Sequence, residues 1–360
     1  MKGIFSAAGL FMALVLLGCG GSGNSRFVYV VGPTLSAVSG FTQSNTGTIS
    51  PLVSPTFGTG TAPTAVVVHP TKKFAYVING GSNDISVFNM NTTSGILSAN
   101  GANVAVGTHP IAVAMAAGGG VLYVLNQGSA SISAFTIDPN TGLLTAATGS
   151  PFTTGVPPNP TSMALNPAQN FLYIAGGAAG AKAQVAVFTA PGTGIITPIP
   201  SSPFTAGVTA AWVTAESTGR FVYVSDSTSN NIVAFTVQAG TGSLNQIAGS
   251  PFAAGTGPSV MAADSTGSLL FVLNPGTNNV SAFTIGSSSG ALFSVIGSPF
   301  ATGTTPSFLT VDSTNKFLYV GNPGSSNVSA FTVNNGGSLT SVPGSPFAVT
   351  TGSTWITTTN

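Results

Sequence analysis

Short apolar runs rich in Val, Ile, Leu, Ala, Phe and Tyr, divided by clusters of Gly, Asn, Ser, Thr and Pro, recur along the chain from residue 27 to its end. A Tyr-Val-like pair marks one run of each copy, at Tyr29, Tyr76, Tyr123, Tyr173, Tyr223, Phe271 and Tyr319, spaced by 47, 47, 50, 50, 48 and 48 residues. A phenylalanine marks the next run, at Phe41, Phe88, Phe135, Phe188, Phe235, Phe283 and Phe331. Two markers with one period give seven repeats. The last copy shows four runs, at residues 306–311, 317–320, 328–333 and 339–342. The links between them, Ser313-Thr314-Asn315, Asn322-Pro323-Gly324-Ser325 and Asn334-Asn335-Gly336-Gly337, are tight-turn formers. Runs this short and rich in β-branched and aromatic residues are strands, and no stretch after residue 25 holds the three-and-four apolar spacing of a helix. Several, such as residues 65–68, are apolar at every position, as in strands buried on both faces.

Periods in the forties with four strands apiece predict the blades of a β-propeller. The expected fold is all-β, with seven four-stranded antiparallel blades over residues 27–360. The first copy begins at Phe27 with what should be a second strand, while the tail around Trp355-Ile356-Thr357 aligns with the innermost runs at 258–262 and 306–310. The C-terminal strand is therefore expected to close the first blade, which removes the open edges of a linear array. Gly-Ser-Pro-Phe segments at 149–152, 249–252, 297–300 and 344–347 are expected to end the outer strand and begin the return to the axis.

Composition sets the surroundings. Hydrophobic residues make up 43% and charged ones 4%, with a mean hydropathy of +0.45, which excludes a disordered chain and argues against a cytosolic one. Beyond residue 18, Arg26, Lys72, Lys73, Lys182, Arg220 and Lys316 balance six acids, and no basic cluster exists to neutralise phosphates, so no nucleic acid is expected. Lys2 precedes an apolar run to Leu17, and Leu16-Leu17-Gly18-Cys19 resembles the bacterial lipobox. Residues 1–18 are expected to be a lipoprotein signal peptide and 19–26 a flexible tether. Cys19, the only cysteine, is the expected lipidation site and the only membrane contact. The chain is expected to be exported to the cell envelope and held at the outer membrane or cell surface.

The segments Tyr76-Val77-Ile78-Asn79, Tyr123-Val124-Leu125-Asn126 and Tyr319-Val320-Gly321-Asn322, with the period and the blade count, resemble the YVTN-repeat and lactonase-type propellers, whose namesake is the 6-phosphogluconolactonase propeller. The resemblance covers residues 27–360 and implies the fold more than the chemistry. For the enzymes it implies a Pro-His pair opening an inner strand and an Asp-Leu-Gly-x-Asp-Arg segment between the second and third strands. Here Thr64, Ile111, Thr161, Ala211, Ser259, Ser307 and Thr354 hold the histidine's place, and Ala37, Asp84, Ser131, Gln184, Asn231, Asn279 and Asn327 the arginine's. Asp226 matches the first acid of that segment.

Lactone hydrolysis needs a base to activate water and donors to stabilise the oxyanion. His69 and Glu216 fall in turns between first and second strands and read as solvated turn residues. His109 stands at the mouth of an inner strand, on the face where the return loops and the Asn-rich loops converge. These residues predict a ligand-binding or protein-binding surface module, not an enzyme, with Asn79, Asn126, Asn274 and Asn322 as contacts to a saccharide-like molecule or an extracellular protein. The alternative is hydrolysis of a neutral sugar lactone, for which His109 and Asp226 are the catalytic candidates. Carboxylates come singly and no paired His or Cys occurs, so neither metal nor cofactor is expected, and the propeller is expected to be monomeric.

Overall fold

The computed structural model describes residues 25–166, 170–178, 180–349 and 355–359. Cys19, the leader and most of the expected tether lie outside the described residues.

Seven antiparallel sheets form the blades, and their strands run in order A to D from the axis to the rim. In blade 7 these are Phe308–Val311, Phe317–Asn322, Asn327–Val333 and Leu339–Ser341. Each innermost strand packs on that of the next blade and the last on the first, so the ring is closed. The C-terminal strand Trp355–Thr358 completes blade 1 as expected, pairing antiparallel with Arg26–Gly32 through Val28↔Thr358 and Val31↔Trp355. Thr359 reinforces the seam: Phe27 N donates to its Oγ1 at 2.9 Å, and its own N–H donates to the Phe27 carbonyl at 2.9 Å.

The core lies between blades. Each hydrophobic cluster draws on facing sheets of neighbours, such as Tyr76 and Ile78 of blade 2 with Leu122 and Val124 of blade 3, which is why whole strands are apolar. The marker tyrosines have a second job at this interface. Tyr29, Tyr76 and Tyr223 are buried and donate from Oη to the carbonyls of Gly95, Gly142 and Gly290, in the C–D hairpin of the next blade, at 2.6, 2.8 and 2.9 Å. Tyr319 of blade 7 reaches Gly47 of blade 1 in the same way at 2.9 Å. Gly142 shows why the hairpin carries glycine: its φ is +72°, and a Cβ there would lie 2.4 Å from Phe74.

The Gly-Ser-Pro-Phe segments do not end the outer strand. They bulge it, and the chain then pairs again with the start of strand C, at Phe252–Ala253, Phe300–Ala301 and Phe347–Ala348 and by a bridge from Phe152 to Ile132; Val104–Ala105 and Phe204–Thr205 do the same after Asn100-Gly101-Ala102-Asn103 and Ser201-Ser202-Pro203. Across the bulge a serine hydroxyl replaces the lost carbonyl acceptor. Ser150, Ser202, Ser250, Ser298 and Ser345 each accept a strand-C N–H at 2.9 Å. Three short 3-10 turns, opening at Pro33, Pro275 and Pro323, are the helical segments among the described residues.

Candidate functional site

The face carrying the B–C loops and the D-to-A returns (the loop face) is built on how strand B ends. Asn79, Asn126, Asn274 and Asn322 are fully buried there. Each donates from Nδ2 to a serine seven residues on, at 2.9 Å, namely Ser86, Ser133, Ser281 and Ser329. The same amides also donate to Asp84, Ser131, Asn279 and Asn327 at 2.6 to 3.1 Å. A ligand on the loop face therefore meets other atoms first, because these amides lie inside the blade and hold strand B to strand C.

Asp226 occupies the same place in blade 5, at the end of Phe221–Asp226, and is 1% exposed. A carboxylate has no proton to donate, so it bonds the other way. It accepts from Val208 N at 2.7 Å, Ser229 Oγ at 2.8 Å, Thr209 N at 3.1 Å and Ser229 N at 3.2 Å. Burial alone would raise its pKa, but these donors outweigh it and hold the carboxyl below the usual range. Asp226 thus acts on the surface through the Val208-Thr209 backbone.

His109 opens strand Pro110–Met115 with φ +51°, a conformation shared by Ala62, Asn159, Gly257 and Thr305 at the same place. The repeat imposes it: Asn83 Oδ1 of blade 2 accepts His109 N at 2.7 Å, as Asn230 and Asn278 accept Gly257 N and Thr305 N at 2.8 Å. The imidazole itself is exposed, has no hydrogen-bond partner among the described residues, and borders a cavity of 330 Å³ with Pro33, Ala62, Pro63, Thr64, Gly80 and Gly81. Asp226 does not border the cavity beside His109.

A second cavity, of 430 Å³, opens between blades 4 and 5, beside the backbone that Asp226 holds. Asn159, Thr161, Lys182, Val208, Thr209 and Ala210 border it. Sequence reading missed Lys182, although a signal was present. From Tyr173 to Phe188 is 15 residues, whereas the same markers are 12 apart in the other six blades, so the B–C loop of blade 4 is longer.

Three aromatic rings meet at the axis. Trp212 of blade 5 lies 5.8 Å from Phe308 of blade 7 and 5.9 Å from Trp355 of blade 1, and Phe308 stacks on Trp355 at 3.9 Å. Strands of non-adjacent blades meet only across the axis, so the three rings lie there. Trp355 Nε1 donates to the Val66 carbonyl of blade 2 at 3.1 Å, fixing the cluster to a further blade.

On the opposite face, His69 and Glu216 are buried, 4% and 0% exposed, and not solvated. Glu216 Oε1 accepts Arg220 N at 2.6 Å and Phe221 N at 3.1 Å, capping the start of strand B, and Asp312 does the same for Lys316 N and Phe317 N at 2.9 Å. No group of three or more His, Cys, Asp or Glu placed to hold a metal occurs among the described residues.

The family model of the lactonase seven-bladed β-propeller matches residues 22–157 and 191–296, about two thirds of the chain. The chain belongs to this lactonase family. Among solved structures, this lactonase-family chain is similar to a periplasmic gluconolactonase of Pseudomonas aeruginosa, with a TM-score of 0.76, 18% identity, and coverage of 93% of this chain and 99% of that one. A protein of Bacteroides uniformis provisionally named a 6-phosphogluconolactonase gives 0.77, 18%, 93% and 100%, and one of Lactobacillus plantarum gives 0.77, 16%, 94% and 100%. At these identities the likeness is one of fold. No curated protein matches the sequence. The expectation of a non-enzymatic module is corrected by the family match. It had rested on the missing family histidine and arginine, and the match holds without them.

Proposed function

We propose that the chain hydrolyses a sugar lactone on its loop face. The observation that carries this reading is the match of a lactonase family model over most of five blades. The geometry supports it with two cavities of a size that holds small molecules, one beside an exposed imidazole and one beside a lysine. His109 is the base in this reading. Its free imidazole nitrogen takes a proton from water, the hydroxide adds to the lactone carbonyl, the ring C–O bond breaks, and the proton passes to the leaving alkoxide. Asp226 is a positioning residue that acts through Val208 and Thr209.

Acid release from gluconolactone, followed by pH-stat, should exceed the spontaneous rate. His109→Ala should remove about a hundredfold or more of that excess, the contribution of one general base. A wild-type rate equal to buffer alone would sink the lactonase reading, and an undiminished His109→Ala rate would remove His109 from it.

We further propose an exported, lipid-held chain, supported by Lys2, the apolar run and Leu16-Leu17-Gly18-Cys19. Cys19→Ser should abolish incorporation of labelled palmitate in the native host. Unchanged labelling refutes attachment at Cys19.

A further inference from the structure

We infer that the cavity between blades 4 and 5 reads negative charge, taking the carboxylate of a sugar-acid lactone such as an aldaric acid monolactone; this rests on the lactonase reading above. Lys182 is the single Lys or Arg on the loop face among the described residues. Arg26, Lys72, Lys73, Arg220 and Lys316 all sit at the opposite ends of their strands or in the A–B turns. Its side chain is exposed, borders the cavity, and has no hydrogen-bond or ion-pair partner among the described residues.

The groups around it suit a hydroxylated anion. Thr209 Oγ1 accepts from Thr228 Oγ1 at 2.9 Å, which leaves its own proton free to donate. Thr161 Oγ1 donates to the Ala210 carbonyl at 2.9 Å, which leaves its lone pairs free to accept a sugar hydroxyl. Asn159, at the left-handed position that His109 holds in blade 3, offers an exposed amide. The wall is rigid because Asp226 pins Val208 and Thr209 from behind. One ammonium matches one negative charge. A phosphate dianion would leave a charge uncompensated close to the Asp226 carboxylate, so a carboxylate is the better fit. The lengthened loop and Lys182 lie in residues 158–190, between the two stretches that the family model matches.

The test compares the full chain with Lys182→Gln on two substrates, neutral gluconolactone and anionic glucaric acid monolactone. The ratio of kcat/KM for the anionic to the neutral lactone should fall about tenfold in the variant, the scale of one charge-assisted hydrogen bond. The loss should reside in KM, and raised salt should reproduce it in the wild type. Binding is read separately, because both tryptophans of the chain sit in the axial cluster and Trp212 is two residues from Ala210 in the cavity wall. Glucarate should shift tryptophan fluorescence in the wild type, and Lys182→Gln should need about tenfold more of it. A Lys182-dependent shift without turnover of either lactone would sink the lactonase reading and leave the anion site standing. An unchanged substrate ratio together with an unchanged glucarate titration overturns the inference, as does tighter binding of inorganic phosphate than of glucarate.

Discussion

Asp226→Asn changes one atom and should cost stability because of which way the hydrogen bonds at that site run. Both carboxylate oxygens accept a backbone N–H: Oδ2 that of Val208, and Oδ1 those of Thr209 and Ser229. Whichever way an amide is turned, its NH2 faces at least one of these donors. With the oxygen kept toward Val208, the N–H groups of Thr209 and Ser229 lose their acceptor. Each of these part-buried bonds to a charged acceptor is worth about 1.5–3 kcal/mol. One gain offsets part of this. Asn231 Oδ1 is buried without a partner and sits opposite residue 226, where a new amide could donate as Asn274 does to Asn279. The net loss should be about 2 kcal/mol, lowering Tm by about 2–4 °C in a chain of this size. Charge gives the result its signature. The folded pKa of Asp226 lies below the unfolded value of about 3.9, so its stabilisation is complete above that pH and lost as pH falls through the folded value. Thermal melts of both proteins at neutral pH and near pH 3 should show a gap that narrows in acid. A gap of the same size at both would mean that shape, not the ionised carboxylate, holds Val208 and Thr209, and the account of the cavity wall would fail.

The tyrosine ring supplies an internal contrast. Tyr76→Phe strips the Gly142 carbonyl of its donor and should cost about 1–2 kcal/mol, whereas Tyr123 Oη is buried with no partner, so Tyr123→Phe should be neutral or stabilising. Equal losses in denaturant melts would refute the interlock. His69 is held neutral, Nε2 donating to the Gly119 carbonyl at 3.1 Å and Nδ1 accepting Thr71 N at 3.2 Å. Burial lowers its pKa, against the opposing pull of that carbonyl, so its share of stability is present above about pH 6.5 and lost as pH falls through the lowered folded value. His69→Asn should flatten that fall, since Asn166 of blade 4 makes the same bond to the Gly219 carbonyl of blade 5 at 2.8 Å. A variant with an unaltered pH profile between 7 and 5 would show that the fall arises elsewhere.

The ring was legible because its signals repeat. Seven tyrosine-like and seven phenylalanine markers fix the blade count, and the displaced first strand announces the C-terminal closure. What stayed hidden was polar chemistry under apolar packing. A proline after Gly-Ser suggests a strand end, and nothing in the pattern says that the serine hydroxyl will stand in for a carbonyl and let pairing resume. Turn formers such as Glu216 read as solvated, yet that carboxylate is buried because two N–H groups at the start of the next strand need an acceptor there. The strand-ending asparagines read as surface contacts for the same reason: a residue bordering a loop shows in sequence only its polarity, not the depth to which its side chain turns.

The cavity, by contrast, arises where the repeat is broken, and the breaks make sense only together. Blades 2, 3, 6 and 7 pair an asparagine at the end of strand B with a serine seven residues later, donor to acceptor. Blade 5 has Asp226 and, seven residues on, Val233. A carboxylate offers no proton, so the serine would gain nothing, and its oxygens turn instead to the return loop at Val208 and Thr209. Blade 4 has Gly176 at the asparagine's place and the longer loop that carries Lys182 to the same opening. Residues common to every blade meet the same need seven times and therefore serve the ring. Selectivity for one ligand has to reside in residues that differ from blade to blade; blade 1 also lacks the asparagine, with Gly32 in its place, but blades 4 and 5 depart side by side around one opening.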